Sequence, residues 1–198
     1  MSTASVAEFF EEIVEDAMKA RRLSASEAAT SYVVALLADL AKPGSPVERT
    51  LERPLTFLLD EALHTNELAD RFEKLRTLGD GVLYSSGFFA DHFEARGVDT
   101  RYVIGIGQRA YESAGSLLRG GGKEEESGPD VFGELSTGFS SFVEVLADVA
   151  NATVAKGVAT SRGILKLYER WLKTRSDRLA DALTSHGFVA PRGGRVLS

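Results

Sequence analysis

The stretch RYVIGIGQRAYESAG, residues 101–115, decides the fold class of this chain. Gly105, Gly107 and Ala110 have the G-x-G-x-x-A spacing of a dinucleotide-binding turn. Such a turn joins a strand to a helix, and a second strand carries an acid about 20 residues further on. Here GGGKEEESGP occupies the place of that second strand, and the segments beyond it have a helical period. No βαβ unit can be assembled, so we interpret residues 101–115 as helical.

A glycine inside a helix costs about 1 kcal/mol relative to alanine, so Gly105 and Gly107 need a compensating reason. Close packing of a neighbouring helix, or a kink, supplies one. Other predicted helices contain glycines with the same interpretation: Gly79, Gly81, Gly87, Gly115, Gly133 and Gly138. The sequence therefore predicts a bundle in which helices approach one another closely at these glycines, near the middle of the bundle.

Apolar residues recur at three- and four-residue steps along most of the remaining chain, which is typical of amphipathic helices. A capping box at Ser24 and Glu27 predicts one helix start, and Thr100 and Asp130 are predicted N-caps. The predicted helices cover about 5–22, 24–40, 54–63, 66–83, 100–118, 130–150, 160–174 and 176–185. No convincing alternating strand is found in the sequence.

These patterns predict an all-α fold, a single-domain helical bundle of seven or eight helices. The predicted domain covers residues 1–186 and includes a mobile loop over 119–130, and residues 187–198 are predicted to form a flexible tail. The predicted core contains Phe9, Ile13, Val33, Leu36, Leu37, Phe72, Leu75, Phe139, Phe142, Leu146 and Trp171.

The composition excludes several protein classes. Hydrophobic residues make up 43% and charged residues 26% of the chain, which is typical of a globular protein. No apolar run approaches the roughly 20 residues that cross a bilayer, and MSTASVAEFFEE lacks the features of a secretion signal. We therefore expect a cytoplasmic protein without a membrane span. The absence of cysteine excludes disulfides, thiolate nucleophiles and iron–sulfur clusters.

The net charge of −6 is unevenly distributed. From Asn151 to the end, nine Lys/Arg and three acids give +6, so residues 1–150 carry −12. We expect no specific nucleic-acid partner, because such binding depends largely on basic residues that neutralise phosphates.

Residues 75–89, LRTLGDGVLYSSGFF, are followed by VDTRYVIGIGQRAY at 98–111. Together they resemble a pattern in uncharacterised bacterial proteins, which pair L-x-x-L-G-D-x-x-L-x-x-S-G-F-F with a segment containing tyrosine and glycine. The resemblance covers about a fifth of the chain and implies an all-helical fold. It implies no catalytic residue, because no chemistry is assigned to that family.

Polar and aromatic residues concentrate between positions 84 and 111, on helices that are otherwise apolar. They are Tyr84, Ser86, His92, Tyr102, Gln108 and Tyr111. Such residues more often satisfy one another at a helix junction, but they are also typical of a ligand pocket. Ser86 and His92 suggest a nucleophile and its base, although no G-x-S-x-G elbow supports this. For a haem ligand, His64 and His92 are the candidate axial residues.

Glu61 and His64 form one Glu-x-x-His pair, whereas a di-metal bundle site needs two such pairs and two further glutamates. We therefore predict no metal site, no cofactor and no catalytic residue.

The segment 160–174 is predicted to have one basic side and one apolar side. Its basic residues are Arg162, Lys166, Arg170 and Lys173, which fall within about 80° of one another on a helix. Most such faces are simply solvated, but this one also suits an acidic protein partner or an anionic membrane. The acidic first helix is complementary to it, within one molecule or between two subunits.

Our leading interpretation is a non-enzymatic interaction or regulatory module that acts as a homodimer. The alternative is a helical small-molecule binding protein, including a haem protein, or an enzyme with a pocket near residues 84–111.

Overall fold

The structure is a computed structural model that describes residues 3–41, 53–90, 93, 97–120, 129–156, 168, 171 and 177–185. These residues form eight helices and no strand. The predicted all-α class is therefore confirmed for the described part of the chain.

The eight helices follow one another along the chain. They are α1 (Thr3–Arg21), α2 (Glu27–Leu40), α3 (Leu55–Leu63), α4 (Leu68–Phe88), α5 (Thr100–Gly120), α6 (Val131–Thr137), α7 (Phe139–Lys156) and α8 (Asp177–Ser185). The stretch 101–115 lies wholly within α5, as predicted. Residues 119 and 120 end α5 rather than begin a loop, and residues 121–128 lie outside the described residues. The tail 187–198 and most of 160–174 also lie outside them.

The chain divides into two compact units, one ending at Ala147 and the other beginning at Asp148. The second unit has its own apolar cluster, which consists of Trp171, Leu179, Ala180 and Leu183 with Val154 and Ala182 packed against it. The first unit contains the candidate site. The single-domain organisation predicted for 1–186 stays a prediction.

Helix α4 is the central helix of the first unit. From Leu78 to Gly87 every residue except Tyr84 is buried. It packs most extensively on α5, and α3 packs against both α4 and α5. A helix surrounded on nearly all sides needs small residues where its neighbours approach. This stretch supplies Gly79, Gly81, Ser85, Ser86 and Gly87.

The two glycines of the G-x-G spacing have different surroundings. A β-carbon at Gly107 would overlap the ring of Phe139 and lie 2.7 Å from Val82 Cγ1, so α5 meets α4 and α7 closely there. The predicted close packing is confirmed at this position. Gly105 is exposed and its β-carbon would have no neighbour within 4 Å, so packing does not explain that glycine.

The start of α2 differs from the predicted capping box. Its N-cap is Ser26 rather than Ser24, and Ser26 Oγ accepts a hydrogen bond from the Ala29 N–H at 3.1 Å. Glu27 is the first residue of the helix, too early to act as the box glutamate. Glu134 of α6 takes that role, because its carboxylate accepts from the N–H and the hydroxyl of Ser26 at 2.7 and 2.6 Å. This contact ties α2 to α6.

The caps of α5 and α6 agree only in part with the sequence. Asp99, not Thr100, caps α5: its Oδ1 accepts from the Arg101 N–H at 2.9 Å. Asp130 caps α6 as predicted, accepting from the Gly133 N–H at 2.9 Å. Both caps are carboxylates at helix N-termini, where they also interact favourably with the helix dipole.

The helix predicted over 130–150 is interrupted. A turn at Gly138 separates α6 from α7, which continues past the predicted end to Lys156. In the first unit, α7 meets α4 where Leu146 packs on Gly87, and it meets α1 through an ion pair between Glu144 and Arg21.

Most predicted core residues are buried. They are Ile13, Val33, Leu36, Leu37, Leu75, Phe139, Phe142, Leu146 and Trp171. Phe9 and Phe72 are half-buried instead, each with an edge-on ring contact, to Phe10 and to Phe132 respectively. The core prediction is confirmed in part.

Candidate functional site

The most developed polar arrangement in the first unit is a cluster formed by Tyr32, Arg76, Asp80 and Tyr111, here called the Asp80 cluster. Asp80 Oδ1 accepts hydrogen bonds from the hydroxyls of Tyr32 at 2.6 Å and Tyr111 at 2.7 Å. Its Oδ2 lies 3.9 Å from a guanidinium nitrogen of Arg76, one turn earlier on α4. One carboxylate on the central helix therefore joins α2 and α5.

Gly79 explains how Tyr111 reaches this carboxylate. A β-carbon at position 79 would overlap the Tyr111 ring, so the ring lies directly against the α4 backbone. Tyr111 is completely buried, and its ring also contacts Phe132 and Phe139 at centroid distances of 5.6 and 5.7 Å. The glycine and the aspartate of the L-G-D pattern thus act together to hold one tyrosine.

Burial dominates the electrostatics of the cluster. It raises the pKa of Asp80, and the bonds from Tyr32 and Tyr111 and the charge of Arg76 offset only part of that rise. Burial also raises the pKa values of Tyr32 and Tyr111, and the neighbouring Asp80 carboxylate raises them further. Both phenols therefore remain protonated donors, which is the state that the carboxylate requires.

We expect the Asp80 cluster to give stability a specific pH dependence. The folded state binds the Asp80 proton more tightly than the unfolded state, whose carboxyl titrates near 3.8. The stability that Asp80 contributes is therefore largest at low pH and is lost as the pH rises from 3.8 through the raised pKa. The difference in unfolding free energy between wild type and Asp80→Asn should fall as the pH rises above 3.8. Urea titrations of both proteins measure it, and a constant or rising difference would contradict the expectation.

Two of the predicted pocket residues are satisfied at helix junctions. Tyr111 donates to Asp80 in the core. Gln108 pairs with α6: its Nε2 donates to the Ser136 carbonyl oxygen at 3.4 Å, and the Ser136 hydroxyl donates to the Gln108 carbonyl at 3.1 Å. The partners of these two side chains, Asp80 and Ser136, are not among the six predicted pocket residues.

Three other predicted pocket residues lie on α4 and α5. Ser86 is buried, and in the described part of the chain its hydroxyl has no hydrogen-bond partner. Tyr84 is half-buried and Tyr102 is exposed. His92 lies outside the described residues. Tyr102 is exposed at the start of α5, whereas Tyr111 is buried two and a half turns later on the same helix.

A groove with a volume of about 690 Å³ lies between the end of α1 and the start of α2. Its lining includes Glu11, Glu15, Met18, Arg22, Glu27 and Thr30, and none of the six predicted pocket residues. The ligand pocket near 84–111 stays a prediction.

The candidate haem and metal residues are at the surface or outside the described chain. His64 is exposed, and its Nδ1 lies 2.9 Å from the Asp60 carbonyl oxygen. Glu61 pairs with Arg53 and Lys74. Among the described residues, no three His, Asp or Glu side chains are grouped so as to hold a metal ion. Haem binding stays a prediction.

The basic residues Arg162, Lys166, Arg170 and Lys173 all lie outside the described residues. Their interpretation as a surface for an acidic partner stays a prediction.

Helices α4 and α5 expose a group of apolar side chains at one shared end. Gly79 meets Tyr111, and Val82 meets Gly107, so the two helices run antiparallel and the last turn of α4 lies level with the first turn of α5. This end carries Tyr84, Phe88, Phe89, Val98 and Tyr102, here called the aromatic end.

The α4 residues of the aromatic end contact one another through their rings, and several side chains of this end are open to solvent. Tyr84 contacts Phe88 at a centroid distance of 4.6 Å, and Phe89 packs edge-on against Tyr84 at 5.5 Å. Phe89 nevertheless remains 48% exposed and Tyr102 53% exposed, and Val98 is also exposed. Exposed aromatic side chains are typical of surfaces that bind another macromolecule.

Sequence reasoning missed the Asp80 cluster, and it noted Tyr84 and Tyr102 only as pocket residues. The available signal was a carboxylate between two glycines, Gly79 and Gly81, inside a stretch with almost no other charge. A buried acid needs hydrogen-bond donors, which here come from Tyr32 and Tyr111 on other helices.

Comparison of the chain with protein-family models, with curated proteins and with solved structures gave no match. The resemblance of residues 75–111 to uncharacterised bacterial proteins therefore stays a prediction. No helix among the described residues combines the length and the apolar character that a bilayer span requires.

Proposed function

We propose that this chain is a non-enzymatic interaction module that binds another protein through its aromatic end. The observation that carries the proposal is the exposure of Phe89 and Tyr102 at the shared end of α4 and α5. The cytoplasmic location predicted from the sequence is part of the proposal.

Three features of the aromatic end support this role. Tyrosine and phenylalanine have few rotatable bonds, so they contribute a large contact area at a low entropic cost when a partner covers them. The ring contacts from Tyr84 to Phe88 and Phe89 order the surface before binding. Helix α4, which carries part of this surface, is held in place by the Asp80 cluster and by close contacts at Gly79 and Gly107. These contacts make the surface rigid.

Two of the predicted pocket residues, Tyr111 and Gln108, support the same interpretation. Tyr111 and Asp80 hydrogen-bond each other in the core, where a substrate would have to displace buried helix contacts to reach them. Gln108 bonds to a backbone carbonyl of α6. These residues build the scaffold of the proposed binding surface.

Site-specific photo-crosslinking in the native host tests the proposal. A benzoyl-phenylalanine at position 102 should form a covalent adduct with a protein, which mass spectrometry of the adduct identifies. The matched control is the same group at position 57, because Phe57 is 65% exposed but lies on α3. No adduct from position 102, or equal adducts from both positions, would overturn the proposal.

A further inference from the structure

Helix α2 is attached to the other helices of the first unit through two carboxylates. Asp80 on α4 accepts from the Tyr32 hydroxyl at 2.6 Å, and Glu134 on α6 accepts from the N–H and the hydroxyl of Ser26. The Tyr32 ring also packs edge-on against Phe132 of α6. In the described part of the chain, α2 packs more extensively on α1 than on α6, so α1 and α2 form a hairpin that the Tyr32–Asp80 bond connects to α4.

The two phenols that donate to Asp80 differ in how easily they can leave it. Tyr111 is completely buried, because its ring lies against the α4 backbone at Gly79 and contacts Phe139. Tyr32 is only half-buried, so its hydroxyl can exchange Asp80 for water with less loss of core packing. Of the two bonds, the one from Tyr32 is therefore the one that a local opening can break.

Asp80 is 4% exposed, so water does not hydrate its charged form in the closed structure. The titratable and charged groups that face it are Tyr32 from α2, Tyr111 from α5, and Arg76 and Glu73 from α4. Charged residues of the surrounding helices contact other partners: Glu61 on α3, Arg109 and Glu112 on α5, Glu134 on α6 and Glu144 on α7. Burial outweighs the two phenol bonds and the charge of Arg76, so the pKa of Asp80 is raised.

The proton on Asp80 is thereby linked to the position of α2. A neutral carboxyl keeps a carbonyl oxygen that accepts from both phenols, and it needs no hydration of a charge. Release of Tyr32 lets water reach the carboxylate, so the open form binds the proton less tightly than the closed form. Low pH therefore favours the closed form, and rising pH favours the open one.

We propose that α2 is a pH-sensitive latch, which the Tyr32–Asp80 bond holds closed while Asp80 is protonated and which opens locally when Asp80 is ionised. The latch goes beyond the proposed function and does not depend on the aromatic end.

Hydrogen exchange of the full chain, measured by mass spectrometry from about pH 4 to pH 8, tests the latch. Dividing each rate by the intrinsic rate of an unfolded peptide gives a protection factor that reports the opening equilibrium. Protection of α2 should fall as the pH rises above 3.8, by at most about tenfold per pH unit, which is the limit for release of one proton. Peptides from α5 should stay at least about tenfold better protected, because the latch opens without unfolding the core.

Three variants supply the controls. Asp80→Asn keeps an oxygen acceptor but does not ionise, so its α2 protection should not fall with pH; Glu134 is present in both proteins, so any effect of that residue is common to them. Tyr32→Phe and Tyr111→Phe each remove one donor to the same carboxylate. Tyr32→Phe should lower α2 protection at least about threefold, whereas Tyr111→Phe should change it less than about twofold, because Tyr111 bonds Asp80 in both forms.

The latch is overturned if α2 protection in wild type does not change with pH, or if it falls equally in Asp80→Asn. Equal protection of α2 and α5 at every pH would also overturn it, because the whole unit would then unfold at once. Equal losses of α2 protection in Tyr32→Phe and Tyr111→Phe would show that Tyr32 is not the bond that opens.

Discussion

Alanine at position 107 is expected to lower the free energy of unfolding by about 1–3 kcal/mol, whereas alanine at position 105 is expected to raise it by about 0.5–1 kcal/mol. Both glycines are interior to α5 and only two residues apart. Each substitution therefore gains the same helix propensity, and the two results differ only through packing.

The packing term at position 107 is unfavourable because its neighbours have little room to move. A new methyl group would overlap the Phe139 ring and lie 2.7 Å from Val82 Cγ1. Phe139 and Val82 are both fully buried, so relief requires α5 to shift away from α4 and α7. At position 105 the methyl group enters open space, so the full gain in helix propensity remains.

Guanidinium titrations of Gly105→Ala, Gly107→Ala and wild type give the measurement, with the m-value taken as a check on two-state unfolding. The two variants should differ by about 1.5–4 kcal/mol. Equal stabilisation by both would show that α5 does not approach its neighbours closely at Gly107.

Alanine at position 80 is expected to lower the free energy of unfolding by about 2–4 kcal/mol. The hydroxyl of Tyr111, which is completely buried, loses the acceptor that it has in Asp80. Tyr32 loses the same acceptor but is only half-buried, so water can replace part of that bond. Relief of the buried carboxylate offsets some of the loss, because burial disfavours its charged form.

A double-mutant cycle with Tyr111→Phe isolates the hydrogen bond. The loss for Asp80→Ala/Tyr111→Phe should be smaller than the sum of the two single losses by about 1–2 kcal/mol, because the phenylalanine leaves no buried hydroxyl without a partner. Asp70→Ala removes an exposed acid from the first turn of the same helix and should change stability by less than about 0.5 kcal/mol. Additive losses, or an Asp80→Ala variant as stable as Asp70→Ala, would rule out the Asp80 cluster as a stabilising contact.

Helical periodicity was sufficient for the fold class and for most helix positions. Apolar residues three and four apart require one buried face whatever the neighbours are, and this held for Ile13 of α1 and for the predicted core residues of α2 and α7. Caps were less predictable. Ser26 caps α2, and the carboxylate that accepts from its N–H belongs to Glu134, 108 residues away, so no local capping box could indicate that contact.

The candidate site was predictable only in composition. The stretch 84–111 was identified as rich in polar and aromatic residues, and the structure separates them into a buried tyrosine, a junction glutamine and an exposed aromatic end. Tyr102 and Tyr111 are nine residues apart, which places them on opposite sides of α5. Their burial differs because α4 packs against the side that carries Tyr111, where Gly79 meets the tyrosine ring.

The sequence by itself determined that the chain is helical, that it lacks cysteine chemistry and that glycines interrupt its helices, because these properties depend on residue type and local spacing. The tertiary structure decided which glycines are contact points and which acid is buried. It also decided which aromatic side chains remain exposed to a partner. These properties depend on how α4 and α5 cross, and that crossing is fixed by contacts such as Asp80 with Tyr111 between residues 31 positions apart.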